Sequence, residues 1–302
     1  MIEREKKTFS GNLLDIDFYP VWESGKPVRT GKASRTSPEM AKYNRIIANK
    51  KLIRLINSNF GEDDYFAAVT YNPANAPESE DGARRDINNY FRRIKTLRMR
   101  RLSQAKARIN QLYKKGLCSS DPEIAQLKKD IKKLSQPMKY IYTIETVEYK
   151  RPRADGRTQN FHFHLFITGG LTAKEMKAKW NKGARLSFDN YEPGIFGPEA
   201  AALYMLKDPR GRKSFAYSKN LSKPKIRVRD GKISRAAVNK MALMRCDDRE
   251  YFEKRYPGYR FLRCYSRFNP YNCQWYVSVV MYRTAGKTPS WTVEEWGCDD
   301  YV

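Results

Sequence analysis

The sequence predicts an α+β fold in which neighbouring strands pair as an antiparallel sheet and helices pack on it. Two observations predict this. Apolar runs of strand length occur at residues 65–71, 140–147 and 161–168, and segments of helical periodicity fall between and after them. The resulting order is strand, helix, strand, strand, helix, helix and then further strands, which lacks the strict alternation of a parallel, doubly wound sheet. At 302 residues the chain is long enough to bury a substantial core, as one large domain or as a core with appendages.

Residues 1 to about 36 mix charge, Gly, Ser and Thr, and we read them as a loose basic arm. Ser37-Pro38-Glu39 reads as a helix start, with Ser as N-cap and Pro at the first helical position. Ile46, Ile47, Leu52, Ile53, Leu55 and Ile56 give that helix an apolar face, and it ends near Asn57-Ser58-Asn59. The strand at 65–71 is bounded by Asp63-Asp64 and Asn72-Pro73. A helix from about Asp81 buries Ile87, Phe91, Ile94 and Leu97. The very basic stretch 98–136 keeps helical spacing through Leu102, Ile109 and Leu112, breaks at Gly116 and restarts at Asp121-Pro122-Glu123. It reads as a helical hairpin projecting from the core, whose charges either grip DNA or form a solvated face.

Beyond the strand pair at 140–147 and 161–168, Thr172 and Glu175 form a capping box that opens a helix to about Lys182. Gly197-Pro198 opens another, to about Lys207. A strand at 225–229, a helix from Ser234 to about Tyr256 broken near Asp247-Asp248, and a hairpin of 260–268 with 274–282 complete the reading. The tail, 294–300, is acidic.

Charge narrows the function. Lys and Arg total 59 against 33 acids, a formal net of +26. A polyanion is the natural partner, because Lys and Arg release counterions from a phosphate backbone. A ribosomal or membrane-surface protein has similar composition. The 39 aromatics (20 Tyr, 14 Phe, 5 Trp) include rings able to stack on unpaired bases, although most serve a core. The five scattered cysteines fit neither a disulfide framework nor a zinc spacing. No apolar run reaches bilayer length and no secretory signal is visible, so we expect a cytoplasmic protein.

The chain has only two histidines, and they stand one residue apart in Phe161-His162-Phe163-His164-Leu165. Residues two apart on a strand share a face, so both imidazoles point one way and the apolar residues the other. Two imidazoles on one face are a ready pair of metal ligands. A carboxylate from the preceding strand completes such a site. Glu145 and Glu148 have opposite parity; Glu145 lies deeper in Ile141-Tyr142-Thr143-Ile144-Glu145, where an acid is costly unless neutralised, so Glu145 is the expected ligand. Tyr204 and Lys207 share a helix face three residues apart. A phenol ionises near pH 10 and a neighbouring ammonium favours its charged form, which makes Tyr204 a candidate nucleophile and Lys207 its helper.

In order along the chain, Phe66-Ala-Ala-Val-Thr-Tyr71, Tyr140-Ile-Tyr-Thr-Ile-Glu145, His162-Phe163-His164, Trp180-Asn-Lys-Gly183, Tyr204-Met-Leu-Lys207-Asp208 and Ser218-Lys-Asn-Leu221 resemble the sequence blocks of HUH endonucleases. The resemblance is to the rolling-circle replication initiators of phages, plasmids and integrative elements, and it spans residues 40 to 285. Three features depart from that pattern, the first being the long loop between Glu145 and His162. One turn before Tyr204 stand Ala200 and Ala201 where some relatives carry a second tyrosine, and the basic hairpin at 98–136 is an insertion the family core does not require.

The resemblance implies a ferredoxin-like or RRM-like sheet with packed helices. It implies Mg2+ or Mn2+ held by His162, His164 and Glu145, and attack by Tyr204 on single-stranded DNA at a replication origin, where a hairpin is expected. Arg151, Arg153, Arg157 and Lys219 are candidate phosphate contacts. No Walker-type loop is present, so unwinding falls to a host helicase and synthesis to a host polymerase in a bacterial cytoplasm. The expected domains are a basic arm and helix at 1–60, a nuclease domain at 61–224 with its helical insertion, and an extension with an acidic tail at 225–302. Relaxases and single-tyrosine transposases use the same chemistry, and a non-catalytic DNA-binding protein on this fold is the competing class.

Overall fold

A computed structural model describes residues 1–22, 38–148, 159–183, 185–207 and 214–284. Strands β1 (Ile2–Ser10) and β2 (Leu13–Val21) are followed by α1 (Pro38–Asn57), β3 (Tyr65–Thr70), α2 (Glu80–Lys114), α3 (Pro122–Ser135), β4 (Tyr140–Glu148) and β5 (Gln159–Ile167). Then come α4 (Ala173–Lys177), β6 (Leu186–Asn190), α5 (Glu199–Met205), β7 (Ala216–Tyr217), β8 (Lys225–Asp230), α6 (Arg235–Met244), α7 (Arg249–Arg255), β9 (Tyr259–Asn269) and β10 (Gln274–Arg283). The expected α+β class holds, with two antiparallel five-stranded sheets rather than one. Contacts divide the chain into two units, Met1–Ala33 with Pro224–Val302, and Ser34–Lys223.

The first unit corrects the reading of the N-terminus. Residues expected to be a loose arm form the β1–β2 hairpin. Leu14, Ile16 and Phe18 alternate with Asp15 and Asp17, the period of a half-buried strand, and Gly11 takes a positive φ of 52° in the turn before Asn12. The sheet order is β8-β1-β2-β10-β9. One face buries Leu14, Ile16, Phe18, Val277, Val279 and Met281 against Val238, Met241 and Phe252 of α6 and α7. Ser234 caps α6 and Asp248 caps α7, each side chain accepting a backbone N–H of the first turn.

The second unit's sheet runs β6-β3-β5-β4-β7. β6 and β7 were not expected from the sequence; both are short and pair at the sheet's edges. The sheet is covered on both faces. Ala67, Val69, Phe161, Phe163, Leu165 and Ile167 pack beneath Ile87, Tyr90, Phe91 and Ile94 of α2. On the other face Phe166 and Ile141 meet Leu52, Leu55 and Ile56 of α1 and Ala202 and Met205 near the end of α5.

The basic stretch forms a helical hairpin, but its first arm is the unbroken continuation of the core helix α2. Asp121 caps α3, and the buried Arg98 donates to the carbonyls of Lys133, Gln136 and Gly169, tying the hairpin to the end of β5. The capping box of Thr172 and Glu175 is present, yet α4 stops at Lys177 because the chain turns to bury Trp180. Among the described residues no helix is long and apolar enough to cross a membrane.

Candidate metal centre

The register of the central strands builds the site. β4 and β5 pair antiparallel with Glu145 opposite His162 and Thr143 opposite His164, while Thr70 of β3 lies opposite His162 on the other side. Directly opposed residues project to one face, so Glu145, His162 and His164 converge. Oε2 of Glu145 lies 2.7 Å from Nε2 of His162 and 2.9 Å from Nε2 of His164, and the two Nε2 atoms are 3.1 Å apart. This partly buried group is able to hold a metal ion, and it is the one set of its kind among the described residues. Glu148 is exposed at the end of β4, opposite Gln159, so strand parity separates it from the histidines.

Tyr204 and Lys207 meet the triad. The Tyr204 ring lies edge-on to His164 at 4.6 Å between centroids, and the residue is 47% exposed. Lys207 lies just beyond the end of α5, not within the helix as its spacing suggested. Its Nζ is 3.0 Å from Oε1 of Glu145 and 4.5 Å from the centroid of the Tyr204 ring. Glu145 thus faces the imidazoles with one oxygen and the ammonium with the other. Burial opposes ionisation of Glu145, but hydrogen bonds with His164, Lys207 and His162 outweigh it and hold the carboxyl at about 2. Burial pushes His164 below the usual histidine range, helped by the nearby charges of His162 and Lys207 and opposed by Glu145. Both directions favour the forms that bind a cation, carboxylate and neutral imidazole.

Two of the singled-out segments act as supports. Trp180 donates from Nε1 to the carbonyl of Thr70 at 3.1 Å, and Asn72 N–H donates to the carbonyl of Lys182 at 2.7 Å. A Cβ on Gly183 would stand 1.9 Å from the Thr70 oxygen, so only glycine allows this approach. The Trp-Gly segment therefore clamps the end of β3 beside His162. Ser218 bonds both ways with the backbone of Tyr140, and Asn220 donates to Met138, so the Ser-x-Asn-Leu segment secures the start of β4.

The candidate phosphate contacts are not gathered at the site. Lys219 is exposed beyond β7, alongside the Tyr140 end of β4 and five residues of strand from Glu145. Arg151, Arg153 and Arg157 lie outside the described residues. One residue went unnoticed in the sequence. Arg45 of α1 donates from Nη2 to the carbonyls of Lys207, at 3.0 Å, and Leu206, at 3.4 Å, securing the chain that carries Tyr204 and Lys207. Nothing in its sequence context distinguishes Arg45 from the other cations of a basic chain.

Comparison with protein-family models, with curated proteins and with solved structures gives no match.

Proposed function

We propose that the second unit is an HUH-type endonuclease that nicks and rejoins single-stranded DNA through Tyr204, in the service of rolling-circle replication. The observation that carries the reading is the half-exposed Tyr204 phenol packed on His164, with Lys207 lying between its ring and Glu145. A nucleophilic tyrosine needs a neighbouring ammonium and a cation site beside its phenol, and Tyr204 has Lys207 and the triad at hand.

The donor set fits a divalent cation. The triangle of ligand atoms has edges of 2.7, 2.9 and 3.1 Å. Two imidazoles and a carboxylate converging on one point would hold a divalent cation such as Mg2+ or Mn2+. Mixed imidazole and carboxylate ligands favour Mn2+ of the two. Bound there, the cation supplies Lewis-acid polarisation of a non-bridging phosphate oxygen.

The chain's own residues do the rest. The Tyr204 oxygen attacks phosphorus in line, a bond forms between them, and the bond from phosphorus to the 3′ oxygen breaks. The phenol gives its proton to solvent and the leaving 3′ oxygen takes one up, so the products are a 5′-phosphotyrosyl link and a free 3′ hydroxyl. Reversal of the step rejoins the strand. Lys207 offsets negative charge on the phosphate as it develops in the transition state. A replication origin is the DNA partner in this reading, with a host helicase and polymerase extending the freed 3′ end.

Incubation with labelled, origin-like single-stranded DNA and Mn2+, resolved on a denaturing gel, tests the proposal. A protein-linked band that Tyr204→Phe abolishes is the expected result. A band that persists in the variant assigns the nucleophile elsewhere. Tight binding with no band on any DNA points to a non-catalytic DNA-binding protein.

A further inference from the structure

We propose that the first unit holds the phosphate backbone of a single nucleic-acid strand in a cleft at the β8 edge of its sheet. The inference stands independently of the metal centre. The cleft encloses about 210 Å³ between the β1–β8 edge and the end of α7, and Lys7, Arg227, Arg229 and Arg255 line it. The one acid in its lining is Glu5, which is buried and accepts a hydrogen bond from Tyr256 at 2.6 Å. Glu5 also lies 3.5 Å from Lys7 and 3.8 Å from Arg255, so it orients two of the cations. Four cations against one carboxylate leave three positive charges unbalanced in the lining. An anion is the complement that such a wall lacks.

The strand register gives the cations a regular spacing. Arg229 lies opposite Glu5, Arg227 opposite Lys7, and Lys225 opposite Phe9, so these residues share one face of the sheet. Like-facing residues on a strand repeat every 6.7 Å or about that, a step of the same order as the phosphate repeat of an extended nucleic-acid strand. All of β8 is exposed, and neither Arg227 nor Arg229 makes an ion pair among the described residues. Arg227 instead lies over the Phe9 ring, 5.5 Å from its centroid. Charges on an edge strand, lysines above all, also deter pairing with another chain. What exceeds that role is that two of these charges, Arg227 and Arg229, line the cleft. A cleft of this volume admits a single phosphodiester with its sugar.

The test is fluorescence anisotropy of the full chain with a labelled single-stranded oligonucleotide, in chelator, across a salt series. Arg227→Glu with Arg229→Glu is expected to weaken binding about tenfold or more. It is also expected to make the slope of log affinity against log salt shallower by about 1.4, since each lost single-strand phosphate contact removes about 0.7. Arg227→Lys with Arg229→Lys keeps the slope. If the charge reversal impairs folding, Arg227→Gln and Arg229→Gln singly each remove about 0.7 from the slope. Affinity and slope unchanged in the Glu and Gln variants would overturn the proposal. Displacement of the oligonucleotide by inorganic phosphate at matched ionic strength would overturn it as well, marking a site for the free ion, and so would equal use of the two arginines by a matched duplex. The chelator keeps cleavage out of this measurement and nicking is read separately as a covalent band, so this proposal and the nicking proposal fail separately.

Discussion

The two sheets have the same number of strands and the same antiparallel pairing, yet they carry their polar chemistry in opposite positions. In the second unit the histidines lie on β5, the middle strand of five. In the first unit the middle strand, β2, sends Leu14, Ile16 and Phe18 into the core, and the cations gather on the edge strand β8. The difference follows from what each chemistry needs. Metal ligands must be held to within a few tenths of an ångström, and a strand hydrogen-bonded on both sides and packed on both faces provides that. On the proposal for the first unit, a nucleic-acid strand needs cations that solvent reaches, and the exposed edge strand β8 presents them.

The largest expected effects probe the cores beneath the two chemistries. Phe163 and Phe18 are the matching large residues, each essentially inaccessible to solvent. Phe163→Ala and Phe18→Ala should each destabilise their own unit by about 3–5 kcal/mol, measured by denaturant unfolding with amide hydrogen exchange to locate the loss. Phe163 lies between the two histidines on β5, so its loss should also abolish tight Mn2+ binding in calorimetry. Phe18→Ala should leave Mn2+ affinity within about twofold of wild type. Equal loss of Mn2+ binding in both variants would break the comparison.

A smaller but sharper effect separates the two acids of β4. His164→Ala removes a ligand atom and should lower Mn2+ affinity by about a hundredfold or more. Glu145→Gln should do likewise, whereas Glu148→Gln, on the opposite parity and exposed, should leave the affinity within about twofold. If Glu148→Gln proved the costlier of the two, the register drawn between β4 and β5 would be incorrect.

Much of this was legible in the sequence because it is local. The parity of His162 and His164, the burial of Glu145 within an apolar run, and the caps at Thr172 and Ser234 all follow from neighbours along the chain. The β1–β2 hairpin was legible too, in the alternation from Leu14 to Phe18 after Gly11-Asn12, but the high charge of the surrounding residues masked its period. Other features were not legible because they depend on distant partners. β6 carries a weak pattern and exists by pairing with β3, and Gly183 is required by the carbonyl of Thr70, more than a hundred residues earlier. The division into two units joins the N-terminal hairpin to strands that begin beyond Pro224, a pairing that no local period announces.

The smallest predicted effect concerns how firmly the helix that carries Tyr204 is anchored. α5 is only seven residues long and lacks a side-chain N-cap bond, so its own hydrogen bonds hold it weakly. Arg45 offsets this by bonding the carbonyls of Leu206 and Lys207 from α1, where the helix ends. A hydrogen bond from a charged donor contributes about 1.5–3 kcal/mol, part of it recovered by water when the donor is removed. On the nicking proposal, Arg45→Ala should therefore lower kcat for cleavage about tenfold, the equivalent of about 1.4 kcal/mol, with KM for DNA nearly unchanged. Arg45→Lys, which keeps a donor of the same sign, should recover part of the loss. A rise in KM with kcat intact would make Arg45 a DNA contact instead of an anchor.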